Sequence, residues 1–98
     1  MKKLIIREDK NEITIELLEI DMWKHIVAFE NKGSIFKLQL VPGGNFIFVN
    51  VSGTTCFKER IFSSHLEAIR TAWAEVSDIY VFDDFKSFLK WATKGIIF

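Results

Sequence analysis

Cys56, His25 and His65 are the side chains in this chain whose types could supply a nucleophile and a base. A thiol serves as a nucleophile when a neighbouring imidazole or other cation holds it as the thiolate. The surroundings of Cys56 argue for a different role. It sits in "TTCFK" among β-branched and aromatic neighbours, where a free thiol behaves as a small hydrophobe, and no catalytic residue is assigned. Metal binding fails on supply. A structural zinc site takes four Cys or His ligands, and one Cys with two His, without paired spacing, falls short. Neither a metal nor a cofactor is expected.

Asp83 and Asp84 are the remaining chemical candidates. Two adjacent carboxylates after a strand can hold a divalent cation, but Asp at the start of a helix also caps free amides and meets the positive end of the dipole. The capping role is the simpler reading. His65 falls in the first turn of a capped helix, where the dipole disfavours a positive charge, so it reads as a neutral surface residue. "VPGGN" is no phosphate cradle, because it lacks the Lys and the Ser or Thr of a P-loop and joins two strands.

The elements that would position these residues follow from periodicity. In "SIFKLQLV", Phe36, Leu38 and Leu40 alternate with Ile35, Lys37, Gln39 and Val41, the pattern of a half-buried strand. Pro42 and Gly43 then form a turn, since Pro presets φ at one position and Gly accepts a positive φ at the next. The strand that follows, in "GGNFIFVNVSG", has Phe46 and Phe48 on one side and Ile47, Val49 and Val51 on the other. Both sides are apolar, so a second cover is needed beyond the core. Ser52 and Gly53 suggest another tight turn into a short strand at "TTCFK".

Earlier in the chain, "EITIELLEI" switches phase near Leu17, which indicates a bulge or bend. Residues 21–31 fit two readings. One is a strand ending at a turn on Asn31, Lys32 and Gly33; the other is a helix starting at Asp21 and burying Met22, Ile26 and Phe29. The adjacent strands favour the first. In the last third the period changes. Leu66, Ile69, Trp73 and Val76 recur at helical spacing behind the capping-box pair Ser64 and Glu67. "DIYVF" reads as a short strand or a buried extended connection. "DDFKSFLKWATKG" predicts a second helix capped by Asp83 or Asp84, with Phe85, Phe88, Leu89 and Ala92 inward and Gly95 as its stop. The expected architecture is one α+β domain over 1–98: a mostly antiparallel sheet of five or six strands in N-terminal hairpins, followed by two helices packed on one face.

Composition narrows the function. Ninety-eight residues fit a single core that buries roughly 65% of the unfolded chain's surface, and apolar residues at 49%, with ten Phe, exceed what a minimal solvated domain needs. Lys plus Arg equal Asp plus Glu at 13 each, which removes the electrostatic case for duplex DNA or an anionic membrane. No run has transmembrane length, the apolar stretch after "MKK" is too short for a signal peptide, and a lone Cys suits a reducing compartment. A cytoplasmic protein is expected.

Two functional readings emerge. The first is a non-enzymatic protein-interaction module that occupies another protein's surface, as inhibitors and immunity proteins do, or associates with a second copy as a homodimer. Its interface would draw on Trp23, Phe46, Phe48 and Trp91, because interface cores are rich in aromatics and poor in charge. The second is a single-stranded nucleic-acid binder. It would use Lys32, Lys37, Lys58 and Arg60 with neighbouring aromatics on a sheet face.

Overall fold

The computed structural model describes the backbone of residues 4–8 and 11–15 and all atoms of residues 17–51, 55–76 and 78–94. Strands β1 (Leu4–Glu8), β2 (Asn11–Ile15), β3 (Ile26–Asn31), β4 (Ser34–Val41) and β5 (Asn45–Asn50) precede helix α1 (His65–Trp73), and strand β6 (Tyr80–Phe82) lies between it and helix α2 (Phe85–Ala92). The α+β class is as the patterning implies; the structure shows it as two helices with an antiparallel run of four strands, β6-β3-β4-β5.

The strand order departs from a sequential meander. β6 lies between β1 and β3, antiparallel to β3 and parallel to β1, which in turn pairs with β2. The reason lies in "IYVF". Ile79, Val81 and Phe82 are all buried and Tyr80 is half-buried, and a strand without a polar side belongs in the interior of a sheet. Among the described residues of "TTCFK", the expected short strand does not form. Cys56 makes an isolated bridge to Val49, and Phe57–Glu59 is a tight turn in which Lys58 and Glu59 have positive φ.

Two sharp turns set the register of the central hairpins. Lys32 and Gly33 have φ of 52° and 82°, the doubly left-handed pair whose twist matches that of the flanking strands. The strand reading of residues 26–31 therefore holds, and residues 21–25 form a separate turn. Between β4 and β5, Gly43 takes φ of 94° behind Pro42. Leu38 then faces Phe48 and Leu40 faces Phe46, which places both Phe rings on the Phe36 side of the sheet.

The helices do not share a face. Alternation along β3 sends Val27 and Phe29 to one side and Ile26 and Ala28 to the other. The first side holds the main core, where Val27, Phe29, Leu38, Phe48 and Val81 meet Ile69, Ala72 and Trp73 of α1. The second holds a smaller cluster in which Ala28 and Phe82 meet Phe88, Leu89 and Trp91 of α2. The expectation of both helices on one face is thus corrected: β6 exposes apolar side chains on both of its sides, and each side takes one helix.

Helix boundaries follow the caps. Ser64 Oγ accepts the Glu67 amide at 3.1 Å, and Asp84 Oδ1 accepts the Ser87 amide at 2.7 Å. The Glu67 carboxylate turns outward to the Ser63 hydroxyl and Arg60. These contacts, the Ser63 bond foremost, hold its pKa below the ordinary carboxylate value against the opposing effect of desolvation. Phe85, expected inward on α2, is 56% exposed at the first position of the helix, with its ring 5.8 Å from that of Phe88 and outside the buried cluster. The turn at Ser52 and Gly53, the stop at Gly95 and the final "IIF" lie outside the described residues. No helix among the described residues is long and apolar enough to cross a membrane.

Candidate functional site

The four aromatic residues expected at an interface are separated by this fold. Phe48 has no exposed surface and packs edge-on against Phe29 at 4.8 Å between ring centroids. It is a core residue, because α1 covers its face of the sheet. Trp91 is half-buried within the α2 cluster, 5.0 Å from the Tyr80 ring and 5.4 Å from that of Phe82. Its role is to attach α2. Phe46 is half-buried at the rim of the main core, with the His65 ring 5.7 Å away. Trp23 alone projects freely, at 91% exposure.

Exposure of that size is unusual for an indole, and the turn beneath it is well fastened. Asp21 Oδ1 accepts the Trp23 amide at 2.9 Å, and the Asp21 carbonyl accepts the amides of Lys24 and His25 at 2.9 and 2.8 Å. The Asp21 amide in turn donates to His25 Nδ1 at 3.0 Å. An Asp side chain that bonds to the backbone two residues on imitates a backbone turn. The position of Trp23 is therefore set by local hydrogen bonds, without packing of its ring.

Beside the turn lies a groove of about 270 Å³, lined by Met22, Trp23, His25, Leu38, Leu40 and Phe46 among others. It forms because β4 outruns β3. The β3 pairing ends at Lys37, whereas β4 stays paired with β5 as far as Val41. Leu40, on the same side of β4 as Leu38, is 52% exposed where the cover of the core runs out. A groove this size is below the usual range for a small-molecule pocket and suits one or two side chains. The sequence gives no prior sign of Leu40 as a surface residue, since its alternation with Phe36 and Leu38 marks it as core. The Asp two residues before Trp23 is the signal that could have announced the turn.

The second face of β5 is only partly open. Ile47 and Val49 are half-buried, Val51 is 47% exposed, and Gln39 and Lys37 lie opposite Ile47 and Val49 on β4. Interleaved polar residues dilute this face as an apolar surface.

The basic residues of the nucleic-acid reading do not assemble into a single groove of free charge. Lys58 is ion-paired with Glu75, and Arg60 bonds Glu67 at 2.9 Å while lying 4.9 Å over the Phe62 ring. Lys32 occupies the β3–β4 turn, and Lys37 sits within β4 across from Ala28 and Val49.

The chemical candidates are dispersed too. Cys56 is half-buried opposite Val49, His65 lies against Phe46, and His25 Nε2 is 3.6 Å from Asp83 Oδ1. The Asp84 carboxylate is engaged by both the amide and the hydroxyl of Ser87. Among the described residues, no group of three or more His, Cys, Asp or Glu side chains is placed to hold a metal ion. Comparison with known proteins returned no match: no family model, no curated protein and no solved structure is similar to this chain at a significant level.

Proposed function

We propose that this chain is a non-enzymatic, cytoplasmic protein-interaction module that acts by occupying a protein surface, in the manner of an inhibitor or immunity protein, or by pairing with a second copy. One observation carries the reading: Trp23 is held at 91% exposure by a hydrogen-bonded turn beside the Leu40 and Phe46 groove. Binding hot spots are enriched in Trp and gather in pockets that exclude water. An indole buries about 150–250 Å². At roughly 25 cal/mol per Å² its desolvation is worth about 4–6 kcal/mol before the costs of association. A turn that fixes its backbone in advance lowers part of those costs.

The test compares the parent with Trp23→Asp and Leu40→Asp, after circular dichroism has shown that each variant is folded. Solution mass by light scattering over a concentration range comes first. A dimer in the parent that becomes a monomer in the folded variants identifies a second copy as the occupant. If the parent is a monomer, affinity capture from the native host should retain a protein that Trp23→Asp loses. Association in both variants equal to the parent's would remove this surface from the reading.

A further inference from the structure

Four hydrogen bonds converge on Asp21, and one depends on the protonation state of a side chain. Its carbonyl and carboxylate accept from Lys24, His25 and Trp23, while its own amide donates to His25 Nδ1 at 3.0 Å. An imidazole nitrogen accepts a hydrogen bond only while it carries no proton. That bond thus assigns the neutral tautomer with its proton on Nε2, the nitrogen directed toward Asp83 Oδ1 at 3.6 Å.

We propose that His25 is a proton-responsive latch on the turn that displays Trp23. Protonation at Nδ1 would set an N–H against the Asp21 N–H, two donors with no acceptor between them, so the closed turn and the imidazolium exclude each other at this atom. The other charged groups near the ring explain why it would stay in place. Asp83, from the connection between β6 and α2, attracts the cation, as does the carboxylate of Asp21; Lys37 on β4, at the rim of the same groove, opposes it. The ring remains held by Asp83 while the Asp21 amide is released, and the change falls on the backbone that orients Trp23. The functional meaning of the latch rests on the proposed binding role of Trp23. The latch itself does not.

Nitrogen NMR of the full chain, followed from alkaline to acid pH, tests this without any partner. The Nδ1 signal of His25 should be that of an unprotonated nitrogen at the alkaline end. The amides of Asp21 and Trp23 should shift with the same midpoint as the ring, and the Asp21 amide should lose protection from exchange as the ring charges. His25→Asn places a non-titrating oxygen near the δ position and should flatten both amide shifts while keeping the turn closed. Amides of Asp21 and Trp23 that stay fixed while the His25 ring titrates would overturn the latch, as would equal shifts in His25→Asn. Because the readout needs no association, failure of the Trp23 surface in the mass and capture experiments leaves this result interpretable by itself.

Discussion

Trp23 and Phe48 are both large aromatics in strand-rich sequence, yet one carries almost no contact and the other none of the surface. Truncation should separate them. Phe48→Ala removes a fully buried ring from the centre of the Phe29 and Phe57 cluster, and such changes cost about 3–5 kcal/mol. Trp23→Ala touches no core contact and should stay within about 0.5 kcal/mol of the parent. Urea unfolding of the two variants measures both. A large loss at Trp23 would mean that its ring stabilises the fold, and that its display is incidental. Pairing in the β4–β5 hairpin was legible from alternation, which put Phe46 and Phe48 beside Phe36. Exposure was not, because it depends on where α1 ends its cover of the sheet. Alternation along a strand assigns sides, and tertiary contacts decide which side meets water.

α2 shows how far local pattern reaches at the scale of an element. Its start was readable to within the Asp83 and Asp84 pair, and its body from the apolar spacing that follows, whereas its place on the sheet was not. That place is set by β6, whose residues project apolar groups both ways and so divide the helices between two faces. A helix of eight residues has little stability alone, so α2 depends on Phe88, Leu89 and Trp91 against Tyr80 and Phe82. Trp91→Ala should therefore act locally. The expected result in hydrogen exchange is loss of protection through Phe85–Ala92, with the β4–β5 hairpin and α1 retaining theirs, since sub-global opening follows contact density. Uniform loss across all elements would instead show that the two clusters fold as one cooperative unit. Intact protection in α2 would show that the helix is held without the indole.

At the scale of the whole molecule, charge bears on the two proposed readings, a protein partner and a single-stranded nucleic acid. The chain is neutral overall, and of the four cations that a strand of nucleic acid would need, Lys58 and Arg60 are engaged by Glu75 and Glu67. Lys32 and Lys37 are left, one on a turn and one within the sheet, with no acidic partner among the described residues. Affinity for single strands rises with each phosphate neutralised, by roughly 0.7 in the logarithmic salt slope per contact. Two lysines thus support a slope of only about 1.4, far from that of a dedicated binder. Titration of a labelled oligonucleotide at low salt should give a flat curve or weak binding with that shallow dependence. Within this set of four, a steep slope would require Lys58 and Arg60 to leave their carboxylates. Glu67→Gln and Glu75→Gln would then strengthen binding by freeing the same two cations. If those variants are as inert as the parent, the ion pairs are not masking a nucleic-acid site, and the proposed protein interface at Trp23 stands without that competitor.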